Sequence, residues 1–201
     1  MGSLRYIGSR CKRCRAVGAS VCGRIKCAIA RKPNPPGQHG GDRKKRSEYA
    51  THLLEKQKIR WTYDVSEKQF FNYFSEAASK KGVTGTVMLQ ILESRLDNIL
   101  FRSGLVASRP QARQLISHGH ILVDGEKASI ASMRLKPGQV VSVKEKSKEK
   151  VKGMQAGLVS VCPEWISTDV KALTAKVLMK PERDQLDQSF QESLVIEYYS
   201  R

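Results

Sequence analysis

Leu92-Glu93-Ser94-Arg95-Leu96-Asp97-Asn98-Ile99-Leu100-Phe101-Arg102, followed by Ser108-Arg109-Pro110-Gln111-Ala112-Arg113-Gln114-Leu115-Ile116, is the stretch on which the fold turns. Met88, Leu92, Leu96, Ile99 and Leu100 recur at helical spacing and predict one long helix over about residues 85–102, with Thr84 ahead of it. Ser108 and Gln111 form a capping-box pattern, and Pro110 stands in the first turn, where its missing N–H costs little. Ala112, Leu115 and Ile116 then face inward, so Arg109 and Arg113, one turn apart, are expected on the outer face beside Gln114. Guanidinium groups at a helix amino end, where the dipole already favours anions, make a phosphate-binding surface.

The helix is expected to stop at His118-Gly119. Ile121 and Val123 alternate, Asp124-Gly125 is a hairpin turn, and Pro137-Gly138 turns into Gln139-Val140-Val141-Ser142-Val143. Two helices therefore lead into a short, twisted antiparallel sheet. Glu93 and Asp97 could be taken for a catalytic pair, but Arg95 lies between them and no nucleophile is near, so a helix-face role is expected. His118 and His120 have the spacing of metal ligands on a strand without a third ligand; contact with RNA beside Arg113 suits them better.

Upstream, Ser47 can cap a helix reaching about Trp61, with Leu53, Leu54 and Ile59 on it and Lys56, Lys58 and Arg60 between them. Ser66-Glu67-Lys68-Gln69 is a capping-box pattern opening a second helix, with Phe70, Phe74, Ala77 and Ala78 as its core face and Lys80-Lys81-Gly82 as its end. Downstream, residues 144–152 read as an exposed linker or ribbon edge, Trp165 as a packing anchor, and 194–199 as a short strand.

Four of the five cysteines are spaced Cys11-x2-Cys14-x7-Cys22-x4-Cys27. Two close thiolate pairs can complete a tetrahedron, which suits Zn²⁺, with Gly18 and Gly23 allowing the turns. Using all four leaves no open position, so the metal would be structural. Cys162 stands alone and reads as a small buried hydrophobe, and four cysteines make His39 unnecessary as a ligand. Pro33-Asn34-Pro35-Pro36-Gly37 reads as an extended connector, and Arg43-Lys44-Lys45-Arg46 after it reads as a contact to a nucleic-acid backbone.

Charge narrows the partner. The 201 residues carry 36 Lys and Arg against 19 acids, a formal +17. Residues 1–60 hold 16 of the bases and three acids, so most of the excess lies in the first third. Self-repulsion at that density calls for a counter-charge, which phosphates supply through counterion release. No run approaches the roughly 18 apolar residues of a transmembrane helix. Arg10, Lys12, Arg13 and Arg15 fall where a signal peptide would be apolar, and Tyr6 breaks the myristoylation pattern. An intracellular partner of polyanionic character is expected, with neither a membrane nor a small-molecule substrate.

The two-helix-plus-sheet pattern resembles the RNA-binding module named after small-subunit ribosomal protein four. Further matches lie at Met1–Tyr6-Ile7-Gly8, Pro35-Pro36-Gly37-Gln38-His39-Gly40, Leu54-Glu55-Lys56-Gln57-Lys58, Lys81-Gly82-Val83-Thr84-Gly85 and Ile196-Glu197-Tyr198-Tyr199-Ser200-Arg201. Taken together, the chain resembles the bacterial-type protein-four family of the small subunit, in its zinc-knuckle form, along essentially its full length. That resemblance implies an α+β fold in three parts: a zinc-knuckle and basic arm over 1–42, a helical domain over 43–93 with 168–201, and the inserted RNA-binding module over 94–167. It implies a non-enzymatic primary binder of 16S rRNA in cytoplasmic or organellar ribosomes. Its neighbours would be chiefly small-subunit protein five, with protein three and mRNA as further candidates. The cations in view are Arg43, Lys44, Lys45, Arg46, Lys56, Lys58, Arg60 and Arg95. By the resemblance, the module presents Arg102, Ser108, Arg109, Gln111, Arg113, Gln114, His118 and His120 to RNA. The rival is a stand-alone RNA-binding or RNA-modifying factor; a pseudouridine-synthase-like enzyme would need a further catalytic domain of roughly 150 residues.

Overall fold

Serine caps open two helices of the body as the sequence leads one to expect. In a computed structural model describing residues 6, 8–24, 27–42, 45–155 and 162–200, Ser47 accepts from the Ala50 N–H ahead of α2 (Glu48–Thr62), and Ser66 accepts from the Gln69 N–H ahead of α3 (Glu67–Ala78). The Gln69 side chain does not close the box: its amide donates to the Tyr73 hydroxyl at 2.9 Å. These helices belong to the first of two units, Met1–Val87 with Asp187–Arg201; the second is Met88–Leu186. The first unit also holds α1 (Arg10–Val17) and a terminal helix, Glu192–Ser200.

That terminal helix replaces the strand expected over 194–199. A six-residue apolar run carries too little periodicity to separate the two, and packing decides. The helix lies against α2. Tyr199 meets Phe74 at 4.7 Å and Phe71 at 5.4 Å between ring centroids, and Tyr198 meets Tyr49 at 5.6 Å. Ile59, Tyr63, Phe70, Tyr73, Ala77 and Val195 are buried beside it. Phe74 is half-buried and Ala78 exposed, so Tyr73 takes the core position that the sequence reading gave to Ala78.

The long helix expected over 85–102 is two helices, α4 (Thr84–Glu93) and α5 (Leu96–Arg102). Arg95 between them is extended, at φ −67° and ψ 139°. The reason is a second claim on the backbone: the Leu135 N–H donates to Ser94 O and the Leu96 N–H to Met133 O, each at 2.8 Å. Next come α6 (Arg109–Ser117), capped by Ser108, then β1 (Ile121–Val123), β2 (Glu126–Ala128) and β3 (Val140–Val143). Asp124 and Gly125, at φ 50° and 88°, form the tight β1–β2 turn that the pair predicts.

Residues 144–152 are not a linker. A 3₁₀ turn, Glu145–Ser147, runs into α7 (Lys148–Gln155), whose Val151 is fully buried; an apolar residue among lysines anchors the helix. Strands β4 (Ile166–Asp169) and β5 (Thr174–Val177) complete an antiparallel sheet in the order β2-β1-β3-β5-β4. The boundary expected at 167/168 would cut β4 in two; the chain leaves this unit at Leu186 instead. Trp165, 2 % exposed, anchors the sheet end as expected. Leu96, Ile99, Leu100, Leu115 and Ile116 share one core with Ile121, Val141, Val143, Ala175 and Val177. Each buried Leu, Ile or Val among them contributes about 1.5–3 kcal/mol by leaving water.

Candidate nucleic-acid interface and cysteine cluster

The break at Arg95 brings charged groups together inside the second unit. Glu93, Asp97 and Asn98 are fully buried, with Arg95 at 2 % and Arg109 at 5 % exposure. Asp97 accepts from Arg95 Nε (3.0 Å) and Nη2 (2.8 Å) and from Arg113 Nε (2.6 Å). Glu93 accepts from Arg102 Nε (3.1 Å) and Nη2 (2.6 Å). Asn98 links the remaining members: its amide donates to Glu93, and its Oδ1 accepts from Arg109 Nε at 2.8 Å. The Arg109 guanidinium also lies 4.4 Å from the Phe101 ring centroid.

Two expectations are thereby corrected. Arg109 and Arg113 do not share a solvent face: the first is buried and the second largely so, because α5 supplies their acceptors. Glu93 and Asp97 are not helix-face acids but the buried centres of the network. A signal was present: both acids stand among Leu92, Leu96, Ile99 and Leu100, where an uncompensated buried carboxylate would be prohibitive, with Arg95 and Asn98 beside them as candidate partners. Four guanidinium groups surround two carboxylates, so the network carries net positive charge in rigid form.

Ser108 caps α6 as expected, but Gln111 reaches the Ala107 N–H (2.8 Å) instead of its own cap residue. Gln114 and His118 are exposed, and His118 lies 6.1 Å from His120 between ring centroids. His120 is half-buried with Nδ1 2.8 Å from Ser147 Oγ. Burial first, then the charges of Lys150, His118 and Lys144, hold its imidazole below the usual histidine range.

In the first unit, Lys45 and Arg46 are exposed ahead of α2, whereas Arg43 and Lys44 lie outside the described residues. The three α2 cations are placed otherwise than expected. Lys56, 4 % exposed, bonds Glu67 at 2.6 Å and sits 4.6 Å from the Tyr198 ring centroid. Lys58 donates to Glu55 and to the Ser189 carbonyl, and Arg60 bonds Gln57 (2.9 Å) and Glu67 (3.2 Å). Glu55 and Gln57 lie one turn back on α2 itself, whereas Glu67 of α3 and Ser189 of the returning carboxyl segment are acceptors that a one-helix reading cannot see. Burial works against the Glu67 charge, but Lys56 and the Tyr199 hydroxyl prevail and hold its pKa below the usual value; burial and Glu67 together push the Tyr199 phenol up.

Cys14, Cys22 and Cys27 are buried with their sulfur atoms within 4.8 Å of one another. Cys11 is outside that group, because Cys11 and Cys14 stand on α1 and not on a tight turn. Val17, Ile29 and Trp61 pack around the three thiols. Burial, then hydrogen bonding with Cys22 and Cys27, pushes the Cys14 thiol up to about 12. Three converging sulfurs fit a zinc ion, which would have to displace their protons. His39 pairs with Asp42 at 3.0 Å, outside the cluster. The arm itself is anchored: Arg10 and Arg13 bond the Asp64 carboxylate at 2.8 and 3.3 Å.

A cation-rich helix-and-sheet module and a basic helical body in one chain define a class of structural RNA-binding protein. Comparison with known proteins makes that specific. Residues 5–93 match the family model of the ribosomal protein S4/S9 N-terminal domain, and residues 94–141 match the S4 domain. Small ribosomal subunit protein uS4A of Symbiobacterium thermophilum is 46 % identical over 205 residues, covering 98 % of this chain and 99 % of its own. uS4 of Thermus thermophilus is 46 % identical over 213 residues and uS4 of Rubrobacter xylanophilus 44 % over 199, with the same coverage. The chain belongs to the uS4 family of small-subunit ribosomal proteins, structural and non-enzymatic constituents that bind ribosomal RNA. None of the described helices is long and apolar enough to cross a membrane.

Proposed function

We propose that this chain is a primary binder of 16S rRNA that clasps a multi-helix junction of the 5′ domain and nucleates assembly of the small subunit in the cytoplasm. In this reading it lies near the point where mRNA enters, influences decoding accuracy, and has small-subunit protein five as its chief neighbour, with protein three beside it. The observation that carries the RNA role is the rigid excess of guanidinium around Glu93 and Asp97, held in the same chain as a strongly basic first third. Charges fixed by buried partners set a positive field at defined positions without having to be ordered on binding, and the exposed groups beside them make the contacts to phosphate and RNA shape. Arg102, whose side chain is 29 % exposed, and the exposed Gln114, His118, Lys45 and Arg46 are the foremost contacts. Arg95, Arg109, Arg113, Lys56, Lys58 and Arg60 act first by holding the scaffold.

A 16S 5′-domain transcript competing against duplex DNA at matched salt tests this. Preference for the transcript is expected; equal binding of both sinks the proposal. The same reading assigns one structural Zn²⁺ to Cys14, Cys22 and Cys27, with Cys11 as fourth ligand. Elemental analysis of protein purified without added metal should give one zinc per chain, and its absence would refute the assignment.

A further inference from the structure

At the carboxyl end of α6 the cations have a different setting from those around Asp97. Gly119, at φ 73°, ends the helix, and the rings of His118 and His120 on either side of it in sequence lie 6.1 Å apart between centroids. The Lys127 side chain from β2 lies over Gly119; a Cβ there would stand 3.0 Å from its Nζ. Lys144, just past β3, bonds the His120 carbonyl through its N–H at 2.9 Å. Ser147, buried, fixes the His120 ring through Nδ1, and Lys150 on α7 acts on that ring together with Lys144 and His118. Five cationic or protonatable groups from five neighbouring segments thus meet at one corner. His118, Lys127, Lys144 and Lys150 are exposed. The acids on the same segments are Glu126, which alternates with Lys127 across β2, Glu145, which pairs with Lys148 at 2.7 Å, and Glu149. The charges acting on His120 are all cationic.

We propose that His118, His120, Lys127, Lys144 and Lys150 form an anion site that takes one backbone phosphate of RNA and gains a proton on His120 as it fills. Like charges and partial burial disfavour the imidazolium while the site is empty; a phosphate reverses the sign of that field. Protonated lysines supply point-charge contacts that tolerate any base, as suits a reader of backbone position. By linkage, affinity rises as pH falls through the window between the filled-site and empty-site pKa values, tenfold for each unit by which binding raises the pKa. The identity of the anion rests on the RNA-binding reading above; the site itself does not.

Titration of histidine Cε1–H resonances in the full chain, followed by NMR, tests this with two probes: millimolar inorganic pyrophosphate and the 16S 5′-domain transcript. Each should raise the apparent pKa of His120, and a Lys144→Ala, Lys150→Ala double variant should lose the pyrophosphate response. Transcript bound with His120 unmoved overturns the inference and leaves RNA binding intact. A pyrophosphate response undiminished in the double variant also overturns it. If pyrophosphate raises the His120 pKa but the transcript does not bind, the anion site stands and the functional reading fails.

Discussion

The cations around Asp97 and those around His120 belong to the same module yet live in opposite surroundings. The first set lies inside, each guanidinium bonded to a buried carboxylate or amide; the second stands at a corner where the neighbouring charges are also positive. The contrast separates two uses of basic residues that look alike in a sequence. A cation with a buried acid beside it organises the fold, and a cation among its own kind is a site awaiting an anion.

The largest effect should come from breaking the inner set. Asp97→Ala leaves Arg95 and Arg113 without their shared acceptor and should destabilise the full chain by about 3–5 kcal/mol in urea unfolding. A loss below about 1 kcal/mol would mean that the network is dispensable. Next in size is Asp64→Ala, which frees Arg10 and Arg13. About 1–3 kcal/mol should be lost, with faster amide exchange in α1; unchanged exchange would show that the arm is held by its thiol core alone.

The outer set should leave stability nearly untouched at neutral pH and reveal itself through protons. Because the folded-state pKa of His120 is lowered, the unfolded chain binds more protons in the window between that value and about 6.5. Stability therefore rises with pH through this window and falls as pH drops through it. His120→Gln should flatten that part of the pH profile; an identical profile would show that His120 does not titrate there.

Much of the module was legible because its signals are local. The Asp124-Gly125 turn, the Ser108 cap and the apolar spacing from Leu96 to Ile116 each act within a few residues, and the structure agrees with them. What failed depended on distant partners. Nothing within residues 92–102 announces that the backbone of 133–135 will claim Ser94 and Leu96 and end a helix between them. Likewise, Lys56, Lys58 and Arg60 look outward until Glu67 and Ser189 are brought alongside. For the site the same limit holds: the His118 and His120 spacing was visible, but Lys127, Lys144 and Lys150 join them only through the sheet and α7.

The most direct test is the salt dependence of binding to the 16S 5′-domain transcript, measured for the wild type and for the Lys144→Ala, Lys150→Ala variant. The double variant should unfold at the wild-type temperature while its log K against log salt slope becomes shallower by about one to two units. An unchanged slope and affinity would contradict the division between organising and contacting cations.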